Sequence, residues 1–172
     1  AVVATGFEAG GHRPSYLRAA EKCLTGTLAL IPQVVDAVKV PVIAAGGIAD
    51  GRGVAAALAL GAQGVQIGTA FLACDESGAP AVHRDALFAA TAIDTVLTRV
   101  VSGRLLRAID NRLIATLRAQ ADRMLPWPAQ NGLTAPMRQA AAAQARADLL
   151  ALQSGQVGPL LRERRAEELI DA

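Results

Sequence analysis

Three short apolar segments, each closed by glycine and separated by helix-patterned stretches, constrain this chain more than any other feature. Residues 1–5 (AVVAT) run into Gly6, residues 41–45 (PVIAA) into Gly46-Gly47, and residues 64–67 (GVQI) into Gly68-Thr69. Between the first two, Leu28, Ile31, Val34, Val35 and Val38 recur at three- and four-residue steps, which predicts a helix over 28–38 with one apolar face. Between the second and third, Asp50 stands where an N-cap belongs, and an Ala-rich run over 54–60 stops at Gly61. Strands apolar on both faces and joined through helices belong to a parallel sheet that is covered on both sides. Residues 1–74 therefore read as β-α-β-α-β.

Residues 75–172 change character. Helices are expected over 81–91, 109–125 and 136–152, with a rigid break at Pro126-Trp127-Pro128 and a short charged helix over 162–172. No strand pattern stands out there, so the expected layout is an α/β portion followed by an α-helical extension.

Composition closes off several classes of function. At 172 residues, with 52% hydrophobic and 19% charged, the chain suits one globular domain or slightly more and is too apolar to be disordered. Its apolar runs are too short to span a bilayer, and no basic-then-apolar leader opens it. Cys23 and Cys74 make neither a disulfide framework nor a four-cysteine zinc site, and the two distant histidines complete no metal set. The expectation is a reducing, cytoplasmic setting with no membrane partner and no metal. Residues 99–172 carry 11 basic and 7 acidic groups, against 6 and 8 in residues 1–98. The arginines alternate with acids, which reads as solvated helix faces. With aromatics at only 3%, no nucleic-acid partner is expected.

The chemistry concentrates at the strand ends. Glycine after a buried parallel strand lets the backbone bend to positive φ and lets N–H groups approach a ligand. A helix that follows adds the positive end of its dipole, so anions collect there. One Gly-Gly can simply make a tight turn. Two such ends on consecutive strands, with the Thr69 hydroxyl beside them, point to a phosphate site of the kind found between the last two strands of a (β/α)8 barrel. No Gly-Lys-Ser/Thr and no GxGxxG is present, which argues against a P-loop and a Rossmann site. At the first strand end, Glu8-Ala9-Gly10-Gly11-His12-Arg13 places His12 on the same rim, where an imidazole can move a proton near neutral pH. His83, between helix-opening residues and beside Arg84 and Asp85, is expected to be exposed.

EAGGH at 8–12, PVIAAGGIADGRG at 41–53 and GAQGVQIGTAFL at 61–72, in that order and spacing, resemble the FMN-dependent nitronate monooxygenases, formerly called 2-nitropropane dioxygenases. Ser102-Gly103-Arg104, Asn111-Arg112-Leu113, Pro128-Ala129-Gln130-Asn131 and Ser154-Gly155-Gln156 extend the likeness over nearly the whole chain. The resemblance implies a TIM barrel with a helical substrate-covering domain. Residues 1–74 would be the C-terminal part of the FMN-binding barrel, its last three strands, and residues 75–172 the helical extension over the active site. It implies FMN as cofactor, with the Gly46-Gly47 and Gln66-Ile67-Gly68-Thr69 turns on its phosphate, and Thr5, Gly10 and Gly11 among the flavin-binding positions. It implies His12 as the catalytic residue, acting on the acidic carbon or nitro group of the substrate. The reaction implied is oxidation of an alkyl nitronate by O2 to a carbonyl compound and nitrite, with a nitronate or nitroalkane and O2 as small-molecule partners and a homo-oligomer as a possible assembly. Thr5 stands where the family usually has glutamine, and Pro14 where a glycine is common after the His-Arg pair. Arg104 and Asn111 are read as packing and hydrogen-bonding residues of the extension.

One alternative stays open on the sequence, although His12-Arg13 and Pro128-Ala129-Gln130 favour the monooxygenase, and a second ranks far lower. FMN- and NADH-dependent enoyl reductases of fatty-acid synthesis share the Glu-Ala-Gly-Gly-His, Gly-Gly and Gly-Thr elements; an inosinate-type dehydrogenase shares only the phosphate turns and needs a cysteine loop that is missing. A complete barrel takes about 250 residues. The chain would then supply three of eight strands and be marginal, self-associating or inactive by itself, or persist as a non-catalytic interaction module.

Overall fold

The computed structural model describes residues 1–171. Strands β1 (Val2–Thr5), β3 (Val42–Ala45) and β4 (Gly64–Gln66) form a parallel sheet in the order β1-β3-β4. Helix α1 (Thr27–Ala37) joins β1 to β3, and α2 (Gly51–Ala59) joins β3 to β4. Both helices cover one face of the sheet. Ile31, Val34 and Val35 of α1 and Val54 and Ala57 of α2 pack on Ala4, Val42 and Ala44. The small strand residues allow that close approach, which is how a core with few aromatics fills its volume. Leu28, expected on the inner face of α1, is 73% exposed, and Leu30 packs against the core instead. Asp50 caps α2 as its position suggested, its carboxylate accepting from the N–H groups of Arg52 and Gly53.

On the other face the register aligns Val3, Ile43 and Gly64 in one row and Thr5, Ala45 and Gln66 in the next. Val3 is 50% exposed, so this row has little cover among the described residues.

The remainder departs from the expected all-helical extension. Strands β5 (Thr95–Thr98) and β6 (Leu106–Ile109) pair antiparallel, and the two-residue strand β2 (Gly11–His12) from the first portion joins the other edge of β6. The order is β2-β6-β5. The remaining helices are α3 (Thr69–Ala73), α4 (Ala81–Ala89), α5 (Arg112–Arg118), α6 (Ala129–Ala143) and α7 (Ala166–Asp171). The helix expected over 109–125 is cut short at both ends: residue 109 belongs to β6, and Asn111 caps α5, its Oδ1 accepting from Ile114 N–H. The helix expected over 136–152 starts seven residues earlier, at Ala129, and Pro136 lies inside it. Buried Gln130 and Thr134 explain the extra turns, donating to the carbonyls of Val100 (2.9 Å) and Val101 (2.7 Å). The helix ends before Ala145, which takes a left-handed φ of 51°. No helix among the described residues is long and apolar enough to cross a membrane.

Candidate active site

A cleft of about 400 Å³ opens at the carboxyl edge of the parallel sheet. Nine of the expected site residues line it: Thr5, Gly10, Gly11, His12, Gly46, Gly47, Gln66, Gly68 and Thr69. Ile67 does not; its side chain packs against the apolar clusters beside the sheet.

The two glycine ends are built differently. Gly46 and Gly47 both take left-handed φ, 95° and 73°, so β3 ends in a turn that L-residues adopt only with strain. A Cβ on Gly46 would also lie 3.0 Å from the Ala9 Cβ and 3.1 Å from the Gly6 carbonyl oxygen. Gly68 has φ −102°, open to any residue, and nothing stands within 4 Å of where its Cβ would be. There glycine leaves space rather than permitting a bend. Among the described residues, the backbone N–H groups of Gly46, Gly47, Gly68 and Thr69 donate to no other group of the chain. Four free amides at one cleft are the kind of donor set that an anion accepts from. The helix-dipole contribution expected behind Gly46-Gly47 is blunted: α2 starts at Gly51, and Asp50 already occupies its first amides. Thr69 Oγ1 accepts from Gly155 N–H at 2.9 Å, which leaves its own proton free.

The loop after β1 is fixed by two buried arginines, Arg13, which the sequence marks only as the neighbour of His12, and Arg107, which it does not mark. Arg13 donates to the carbonyls of Gly6 (2.7 Å) and Thr5 (2.9 Å). Arg107 of β6 donates twice to the Phe7 carbonyl and once to Thr95 Oγ1. Neither forms a salt bridge with a carboxylate among the described residues. Burial lowers the pKa of both from the ordinary arginine value, yet guanidinium stays charged at any working pH. The loop is thus backed by positive charge, a field that favours anions. Glu8 is already committed: Thr27 N–H donates to both its carboxylate oxygens, at 2.9 and 3.0 Å. The Thr27 hydroxyl lies 2.9 Å from Glu8 Oε2 and 2.8 Å from the Gly46 carbonyl, and so ties the two loops together.

His12 sits on β2 with Nε2 2.7 Å from Ser102 Oγ, and the Trp127 ring meets its edge at 5.2 Å between centroids. Ser102 is 1% exposed and comes from the turn between β5 and β6. Burial lowers the His12 pKa, and the Arg104 charge adds to the effect. The imidazole is therefore neutral at pH 7 and able to accept a proton. Arg104 itself donates to the carbonyls of Arg13 and Ser15, and the Asn111 amide donates to those of Ala147 and Leu150. His83, expected at the surface, is 8% exposed, and its Nε2 donates to the Gln153 carbonyl at 3.0 Å. The overlooked signal is Leu87, one turn further along α4 and fully buried.

Parallel βα units with free amides at the carboxyl edge and a histidine of lowered pKa on the same rim define an α/β protein whose cleft offers hydrogen-bond donors beside an imidazole. The nitronate monooxygenase family model matches residues 1–172, and the chain belongs to that family of FMN-dependent oxidoreductases. It is 48% identical over 157 residues to a protein named probable nitronate monooxygenase from Staphylococcus aureus (strain Newman), covering 91% of this chain and 44% of that one. Among solved structures it is similar to nitroalkane oxidase from Streptomyces ansochromogenes, with TM-score 0.90 and 42% identity over 99% of this chain and 49% of the other. It is also similar to FabK from Thermotoga maritima, with TM-score 0.77 and 32% identity over 99% of this chain and 51% of the other. The chain spans about half the length of each of these relatives.

Proposed function

We propose that this chain carries the FMN-phosphate turns and the catalytic histidine of an enzyme that oxidises alkyl nitronates with O2 to a carbonyl compound and nitrite. In this reading residues 1–74 contribute the last three strands of a (β/α)8 barrel, and residues 75–172 the layer over its mouth. The row of Val3, Ile43 and Gly64 would then face the barrel interior. The single observation that carries the reading is the convergence of four free amides, from two strand ends, and a neutral imidazole on one cleft.

The residues present fit FMN. The amides of Gly46, Gly47, Gly68 and Thr69 offer donors to a phosphate dianion, the Thr69 hydroxyl adds a fifth, and Arg13 and Arg107 supply positive field from behind. When bound, FMN supplies the electron-transfer chemistry. The chain's own work is to fix the phosphate, hold the rim and manage a proton. His12 accepts the proton from the acidic carbon of a neutral nitroalkane, or bonds the nitro group of a preformed nitronate. Trp127 shields one edge of the ring. In this reading the enzyme works in the cytoplasm.

The test uses the full-length protein reconstituted with FMN. Nitrite release from a propyl nitronate, without NADH oxidation, is the expected result. NADH oxidation with an enoyl substrate and no nitrite would instead identify an enoyl reductase. The 172-residue chain purified alone is expected to be colourless or to self-associate, because the Val3 row lacks cover.

A further inference from the structure

The register of the second sheet places another side chain at the reacting end of the cleft. Along one edge of β6, Leu106 is paired with His12 and Arg107 with Gly11. The next pair on that edge is Ala108 with Gln153. Residues directly opposite one another share a face, and faces alternate along a strand. His12 and Gln153 therefore project from the same face of the sheet, two positions and about 7 Å apart along β6. Gly11 lies between them, and both flanking residues line the cleft.

The two side chains differ in how they are committed. The Nε2 of His12 is held by Ser102. The Gln153 carboxamide bonds to no group of the chain among the described residues, whereas its backbone is held from several sides. The Gln153 carbonyl accepts from buried His83, and its N–H donates to the Ala151 carbonyl at 2.8 Å. Two residues on, Gly155 N–H donates to Thr69, and Gln156 N–H donates to the Glu8 carbonyl at 3.0 Å. A fixed backbone that delivers a free polar group into a cleft is the arrangement a ligand-reading residue needs.

We propose that Gln153 is a substrate-contacting residue whose Nε2 amide donates to an oxygen of the bound nitronate. The proposal rests on the function proposed above and adds a recognition group to it. Nitro and nitronate oxygens only accept hydrogen bonds, and an amide N–H donates to either. A neutral donor suits both the anion and its conjugate nitroalkane. A carboxylate at this position would repel the anion and offer it no proton at neutral pH.

The experiment compares wild type, Gln153→Glu, Gln153→Leu and Gln153→Asn in the full-length FMN-loaded protein. It reads KM and kcat for a propyl nitronate, FMN affinity by flavin fluorescence, and nitrate binding as a turnover-independent oxyanion probe. Gln153→Glu is expected to raise KM for the nitronate at least about tenfold and to abolish nitrate binding, with FMN affinity unchanged. Gln153→Leu should weaken both less, and Gln153→Asn should recover part of the loss. An unchanged KM and unchanged nitrate binding in Gln153→Glu overturn the proposal. So does a parallel loss of FMN affinity, which would make Gln153 a wall of the cofactor site. If wild type releases no nitrite, the proposed function fails, and nitrate binding decides Gln153 alone: lost in Gln153→Glu and weakened in Gln153→Leu, the contact stands. Unchanged in them, or absent from wild type, it falls.

Discussion

The ends of β3 and β4 look interchangeable on paper, an apolar strand running into glycine, yet the molecule uses the glycines for opposite reasons. Gly46 is needed for what the backbone does: left-handed φ and a contact with the Ala9 loop so close that a Cβ would crowd it. Gly68 is needed for what is not there, since its backbone is ordinary and the space beside it is open. A glycine motif therefore marks two separable properties, a bend built into the fold and an open space that the proposed function assigns to the ligand. Mutations should pull the two apart.

The largest effect is expected at the bend. Gly46→Val adds the left-handed penalty of about 1–2 kcal/mol to overpacking against Ala9 of about 1–3 kcal/mol. A loss of about 3 kcal/mol in urea unfolding is the expected outcome. Wild-type stability in this variant would mean that the turn is not held as described.

Next comes the support behind the first loop. Arg107→Met keeps much of the side-chain length but strips the Phe7 carbonyl and the Thr95 hydroxyl of their donor. Leaving buried acceptors unpaired costs about 1–3 kcal/mol. Because the loop carries Gly10, Gly11 and His12, FMN affinity should fall together with the urea midpoint. A variant that loses stability but keeps its FMN affinity would show that the loop holds its shape without the arginine.

How much of this was readable without coordinates follows the same division between local and distant causes. The β1, β3 and β4 strands and the Asp50 cap were legible because periodicity and capping act over a few residues. The second sheet was not. Its β2 strand is two residues long, Gly11 and His12, and is a strand only because Leu106 and Arg107, about ninety-five positions away, pair with it. Arg107 in LRAI reads as a surface residue, since nothing nearby announces that carbonyls of the β1 loop will satisfy it. Ser102, named only within the Ser102-Gly103-Arg104 likeness, and Gln153 carry no sign of their role in the sequence: a buried hydroxyl and a free carboxamide acquire meaning only from the side chains that tertiary structure sets beside them. Nine expected residues do share one cleft, because strand-end glycines on consecutive parallel strands meet at one edge by topology alone.

Histidine titration tests the second sheet in a milder way. Burial lowers the pKa of both His12 and His83 from the usual histidine value, with Arg104 adding to the effect at His12. The unfolded chain, titrating near pH 6.5, then takes up protons before the folded one. This contribution to stability is complete above about pH 6.5 and is lost as pH falls from there through the lower folded values. The urea midpoint should drop between about pH 7 and pH 5, and His83→Gln should flatten part of that slope. A midpoint that rises on acidification would contradict the buried neutral histidine held against Gln153.

The smallest change in stability belongs to the gap, and it completes the comparison. Gly68→Ala places a methyl where no atom lies within 4 Å, on a backbone that alanine adopts without strain. Unfolding should shift by no more than about 0.5 kcal/mol. That methyl nevertheless stands beside the free amides of Gly68 and Thr69, where a phosphate would have to approach. FMN affinity should therefore fall while the fold is untouched, the reverse of a purely structural glycine. Paired flavin-binding and urea measurements on Gly46→Val and Gly68→Ala separate the two uses: the first variant loses stability and ligand together, the second loses ligand alone. If Gly68→Ala bound FMN as tightly as wild type, the open side of β4 would not be where the phosphate enters, and the cradle would reduce to the Gly46-Gly47 turn.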